Sequence, residues 1–256
     1  MATGKSMSKA PDEDLVIHEY YYVVLLVDKS QSMLWPFLED EKNRNETGTS
    51  DYRNAVNKVQ QEITFAHAKA LAALRGSQIC KDRYLKVYQY AFNDKPMVLN
   101  PPEELSPVGM DKVFKLTASN YYPESKTALY DVVHEALQVV EQNYLRKAIE
   151  DDRRVDKLII GVITDGEDTM YEENSPERSQ KISQIKELMH KLRGGDGYSH
   201  LYSSVLIGLT SADFTKQRLL KVKEELTFDE AISINQSDDK AIRRAFKLFS
   251  TDTAGI

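Results

Sequence analysis

Beside Tyr84 to Phe92, which reads as a strand, three segments of the chain are largely apolar rather than alternating: Tyr20 to Val27, Leu158 to Thr164 and Leu201 to Leu209. That pattern predicts strands buried on both faces. Between them the period changes to three and four. Val56, Val59, Ile63, Ala66, Ala70 and Ala73 form one face of a long amphipathic helix that ends near Arg75-Gly76. Leu129, Val132, Val133, Ala136, Leu137, Val140 and Tyr144 mark a second helix. Ile182, Ile185, Leu188, Met189 and Leu192 mark a third, opened by the cap pair Ser175-Pro176 and closed by Gly194-Gly195. A short helix around Phe214 to Val222, a weak strand at Ile232 to Ile234 and a last helix with Ile242, Ala245, Phe246 and Phe249, capped by Ser237, complete the series. Asn93-Asp94 predicts a hairpin into a short strand, and Pro96 confines that strand to a sheet edge. The stretch Leu34 to Ser50 reads as a long loop. Strands alternating with helices imply an α/β fold, doubly wound, with a mostly parallel central sheet, helices on both faces and one antiparallel edge strand.

The ends of two of these strands carry the candidate chemistry. The first apolar run stops on Asp28 and continues Lys-Ser-Gln-Ser, so that one carboxylate is followed at alternate positions by the hydroxyls of Ser30 and Ser32. The run from Lys157 stops in the same way on Asp165, followed by Gly166. Thr127, in Ser125-Lys126-Thr127, stands at the mouth of the second helix. In an open α/β sheet, ligands bind beyond the carboxyl ends of the strands. Parallel packing would therefore bring Asp28 and Asp165 to one edge. Carboxylates and hydroxyls are hard oxygen donors, which suit Mg²⁺ and equally Mn²⁺.

This ordered series, Asp-x-Ser-x-Ser, then Thr, then Asp-Gly, resembles the metal-ion-dependent adhesion site of von Willebrand factor A domains, also called integrin I-type domains. The resemblance covers roughly Tyr20 to Phe249. It implies that Asp28, Ser30, Ser32, Thr127 and Asp165 form a metal site, and that a partner protein's carboxylate completes the ion's shell. It also implies that closing the shell can be coupled to a shift of the C-terminal helix, here about Asp239 to Phe249. Gln31 departs mildly from the family pattern, adding bulk between the two serines.

Composition narrows the picture. A formal net charge of −6 and the absence of any Lys/Arg block exclude a nucleic-acid backbone as principal partner; Arg153-Arg154 and Arg243-Arg244 are isolated pairs. The single cysteine, Cys80, forbids an intrachain disulfide and suits a reducing compartment. It reads as a small buried hydrophobe. No segment has the apolar length of a signal peptide or membrane span. The expectation is a cytoplasmic protein with no membrane association, with residues 1–14 as a flexible polar tail and 15–256 as one domain.

Other motifs dissolve on inspection. Gly4-Lys5-Ser6 lacks the strand and upstream glycine of a phosphate-binding loop. The five histidines, His18, His67, His134, His190 and His200, lack metal-ligand spacing, and Ser237-x-x-Lys240 is better explained by capping. Tyr20-Tyr21-Tyr22 reads as strand packing. Asp131 reads as a first-turn helix charge, and Glu167 with Asp168 as an acidic loop. The rival class is a Mg²⁺-dependent phosphoryl-transfer enzyme using Asp28 and Asp165. An Asp-x-Asp phosphohydrolase would place a second carboxylate where Ser30 stands, and no Gly-x-Ser-x-Gly occurs. The sequence therefore points to a non-enzymatic binding module.

Overall fold

The computed structural model of the protein describes residues 18–38, 46–76, 84–98, 108–142, 154–194, 201–209 and 213–233. Residues 1–14, Cys80, Tyr144, Ile234 and the segment expected to form a last helix capped by Ser237 lie outside these residues.

The apolar runs form the centre of a seven-stranded sheet. Its strands are β1 (His18–Asp28), β2 (Tyr84–Phe92), β3 (Pro96–Val98), β4 (Val108–Gly109), β5 (Arg154–Ile163), β6 (Leu201–Gly208) and β7 (Glu230–Ser233). The order is β3-β2-β1-β5-β6-β7, with β4 also pairing β2. β1 runs parallel to both β2 and β5, while β3 and β4 are antiparallel to β2. Pro96 begins the edge strand β3, where its missing N–H interrupts no ladder. The two-residue β4 has no apolar run of its own and was not foreseen. Ile232 pairs Ile207 as a strand residue, although β7 begins two residues before the expected position.

β1 shows why both faces are covered. Tyr21, Val23, Leu25 and Val27 alternate into one core, with helix α1 (Ser50–Gly76). Tyr22, Val24 and Leu26 alternate into the other, with α2 (Leu129–Val140), α3 (Pro176–Leu192) and α4 (Asp213–Leu226). All seven residues are nearly inaccessible, and each such burial is worth about 1.5–3 kcal/mol. Side chains alternate with a period of two along a strand.

The helices begin where local chemistry permits. Thr49 Oγ1 accepts from Tyr52 N at 3.1 Å, capping α1. Ser175 Oγ accepts from Arg178 N at 3.2 Å, with Pro176 as the first residue of α3. Leu192 ends α3, and Gly194 follows at φ 101. The segment expected as loop from Leu34 starts instead within a 3-10 helix, Gln31–Phe37, whose Met33 and Leu34 are buried against α1. α4 extends beyond the expected Val222 to Leu226, because Leu226 is itself a core residue. His67 is a packed core residue: its Nε2 faces Gln89 Oε1 at 3.1 Å, and Nδ1 accepts from Leu116 N at 3.4 Å.

A polar cluster ties the three helices of the second face. Arg178 donates from Nη2 to Tyr130 Oη at 2.9 Å and to Glu225 Oε2 at 3.0 Å, and Tyr130 donates to the same carboxylate. Arg178→Ala would leave Glu225 half-paired beneath the surface. A fully buried pair broken this way costs about 3–5 kcal/mol. Side-chain exposures of 11% and 21% reduce the expected loss to about 2 kcal/mol in urea unfolding. A loss under about 0.5 kcal/mol would show that the cluster contributes no more than an ordinary surface position.

Candidate metal centre

Register places the strand ends together. Val27 lies opposite Ile163 and Asp28 opposite Phe92, so Asp28 and the Thr164-Asp165 pair leave the same edge side by side. The chain then turns at each. Ser30 N donates to Asp28 Oδ1 at 2.8 Å, which folds the two serines back over the carboxylate. Gly166 takes φ 81, open to glycine at little cost.

All five residues expected at the site converge, and all are buried, from 0% exposed at Asp28, Ser30 and Thr127 to 3% at Asp165. Ser32 Oγ is the hub. It lies 2.9 Å from Ser30 Oγ and 3.1 Å from Thr127 Oγ1, and it donates to Asp165 Oδ1 at 3.3 Å. Thr127 is held from behind, its N–H donating to Thr169 Oγ1 at 2.7 Å and its carbonyl accepting from Thr169 N at 3.0 Å. Ser125, at φ 62, bends this loop toward the 3-10 helix, where its carbonyl accepts from Gln31 N at 3.0 Å.

Several supporting residues were not anticipated. Thr164 Oγ1 donates to Asp28 Oδ2 at 2.7 Å and accepts from Gly166 N at 3.0 Å, fixing one carboxylate and the neighbouring turn at once. Tyr121 Oη donates to the Asp28 carbonyl at 2.7 Å. Thr164 carried a signal, being a polar residue between a buried strand and its terminal carboxylate. Tyr121 carried none, since its role arises from a loop 93 residues away.

The acidic neighbours have other duties. Asp168 Oδ2 accepts from Tyr130 N at 3.0 Å, a cap for α2 supplied by another loop. Asp131, on the first turn of α2, accepts from Tyr171 Oη at 2.8 Å and pairs with Lys181 at 3.0 Å. Glu167 pairs with Arg218 at 2.7 Å.

Electrostatically the site is strained toward a cation. Burial, then the nearby Asp165 carboxylate, pushes Asp28 up from an ordinary value of 3.8 to about 8. Burial and the Glu167 carboxylate push Asp165 up to about 6. Asp165 Oδ2 is buried with no hydrogen-bond partner. Its nearest cation, Arg218 Nη1 at 3.8 Å, lies beyond hydrogen-bond reach. Two buried carboxylates, one with an orphaned oxygen, ringed by three hydroxyls, fit a small hard cation. Among the described residues no group of three or more His, Cys, Asp or Glu side chains could hold a metal; the set here has two carboxylates and depends on its hydroxyls.

Sequence comparison finds no matching family model and no matching curated protein. Solved structures do match in fold. The PilB minor pilin from Streptococcus sanguinis aligns with a TM-score of 0.50 at 12% identity, over 90% of this chain and 60% of the pilin. Manganese-loaded TRAP protein from Plasmodium vivax aligns with a TM-score of 0.44 at 17% identity, over 90% of this chain and 74% of its own. The SpRpn10 VWA domain aligns with a TM-score of 0.42 at 11% identity, over 88% and 93%. The strand order, with β1 parallel to β2 and β5 and helices on both faces, is that expected of a von Willebrand factor A-type fold; the pilin shares the fold, and the chain spans about 60% of the pilin's length.

Proposed function

We propose that this chain is a divalent-cation-dependent protein-interaction module. The observation that carries the reading is the buried ring of Asp28, Ser30, Ser32, Thr127 and Asp165, in which Asp165 Oδ2 accepts no hydrogen bond. These five residues would hold Mg²⁺ or Mn²⁺, directly or through water, and a bound ion would supply an electrophilic point for a partner's Asp or Glu carboxylate. The chain's own part is to fix the donors. Thr164 orients Asp28, Thr169 holds the Thr127 loop, and Ser30 N sets the Asp28 rotamer. Ser30 stands where an Asp-x-Asp phosphohydrolase would need its second carboxylate, and His67 is occupied in the core. A binding role suits these residues better than phosphoryl transfer.

The test is calorimetric titration with MgCl₂ and MnCl₂, followed by melting in each ion and in EDTA. Metal at about a hundred times its Kd should stabilise the fold by about 2.7 kcal/mol. Affinity capture with Mg²⁺ should retain proteins that EDTA releases and that Asp28→Ala does not retain. Absence of any metal binding would overturn the proposal. Metal binding with capture indifferent to EDTA would reduce the ion to a structural part.

A further inference from the structure

α4 lies directly on the Asp165 turn. A Cβ added at Gly166 would sit 3.2 Å from Leu219 N and 3.3 Å from the Arg218 carbonyl carbon. From this close approach Arg218 reaches over the site. Its Nη1 pairs with Glu167 Oε2 at 2.7 Å and stands 3.8 Å from Asp165 Oδ2, the oxygen without a hydrogen-bond partner. Its guanidinium carbon lies 6.0 Å over the Trp35 ring, on the 3-10 helix that also carries Ser32. One side chain of α4 thus spans two of the three loops that carry the candidate ligands.

We propose that Arg218 is a resident counter-cation that sets the metal affinity of the site, balancing Asp165 in the metal-free protein and opposing entry of a divalent ion. This rests on the metal reading of the five-residue ring. Glu167 tethers the guanidinium, so its charge stays beside Asp165 when an ion arrives. Both cations then share one carboxylate in a partly buried setting, where solvent and salt do not fully screen their repulsion. The side chain is 35% exposed, against 4% for Asp165, so the metal-free pairing is modest while the repulsion of a doubly charged ion is larger. Arg218 is a tuning residue, not a ligand.

Calorimetric titration of the full chain with MgCl₂ and MnCl₂ tests this, using wild type, Arg218→Met, Arg218→Gln and Arg218→Lys. The two neutral variants are expected to bind roughly tenfold tighter, and the charge-retaining lysine variant to stay within about threefold of wild type. The gain should shrink as KCl rises from about 0.02 M to about 0.5 M. In EDTA the neutral variants should melt below wild type, a loss of stability beside a gain in affinity that removal of a mere packing contact would not give. Either neutral variant, if folded, suffices. Wild-type affinity, weaker binding, or a gain independent of salt would overturn the role of Arg218 while leaving the metal site standing. No binding by wild type or by any variant would overturn the site, and this inference with it.

Discussion

Asp28→Asn is expected to keep the fold and lose the metal. An asparagine oxygen can still accept from Ser30 N, as Oδ1 does at 2.8 Å. Its amide nitrogen would face Thr164 Oγ1, now 2.7 Å from Oδ2, and that hydroxyl can rotate from donor to acceptor. What is removed is the capacity to ionise. In the folded protein Asp28 titrates near 8, against an ordinary value of 3.8, so across that range the native state holds a proton that the unfolded chain has released. Stability rises with pH only where the unfolded state binds more protons; here the native state does. Metal-free wild type should therefore lose stability as pH rises from about 4 to about 8, and that part of the slope should vanish in Asp28→Asn. Metal must displace the same proton, so Mg²⁺ affinity in wild type should increase over the same range. Losing a residue that only orients a ligand costs about 10- to 100-fold in metal affinity, and losing a carboxylate ligand should cost more than about 100-fold. Melting in EDTA and titration with Mg²⁺ at several pH values check both halves. A variant that binds Mg²⁺ within about tenfold of wild type would remove Asp28 from the site.

The split between what the sequence revealed and what it hid follows from the range of the interactions. β1 and the core of β5 declared themselves because burial on both faces demands a continuous apolar run, and β2 and β6 because their few polar positions leave most of the run apolar. Ser175-Pro176 declared the start of α3 because a cap needs only its own first turn. The five candidate ligands were legible because each sits at a strand or helix end, where packing seldom demands oxygen donors. What stayed hidden depends on partners far along the chain. β4 exists only because β2 offers it an edge, and the 3-10 helix Gln31–Phe37 only because Met33 and Leu34 find the α1 core. Asp168 caps a helix that begins 39 residues earlier, and Arg218 meets Asp165 across the packing of α4. Periodicity cannot report such meetings, because each residue alone has an ordinary surface identity.

Gly166→Ala tests how tightly α4 and the candidate metal centre are joined, and should damage both. Gly166 takes φ 81, and an L-residue held in the left-handed region costs about 1–2 kcal/mol. The new methyl would also meet Leu219 N at 3.2 Å and the Arg218 carbonyl carbon at 3.3 Å. Helix backbone cannot step aside as a side chain can. α4 is held down by Leu219, Val222 and Leu226, none more than 2% exposed, so the strain divides between helix and turn. Overpacking of this kind costs about 1–3 kcal/mol, making the combined loss about 2–5 kcal/mol. The share taken by the turn moves Asp165, whose Oδ1 is fixed by Ser32 Oγ at 3.3 Å and Glu167 N at 3.2 Å. Mg²⁺ affinity should therefore fall along with the urea midpoint, unlike Asp28→Asn, which separates the two. Gly48→Ala is the matched control, because a Cβ there meets nothing within 4 Å, and it should change stability by less than about 0.5 kcal/mol. If Gly166→Ala unfolds at the wild-type urea concentration, the Asp165 turn does not need glycine. If it loses stability but keeps full Mg²⁺ affinity, α4 bears on the fold alone, and the coupling between this helix and the metal centre is absent.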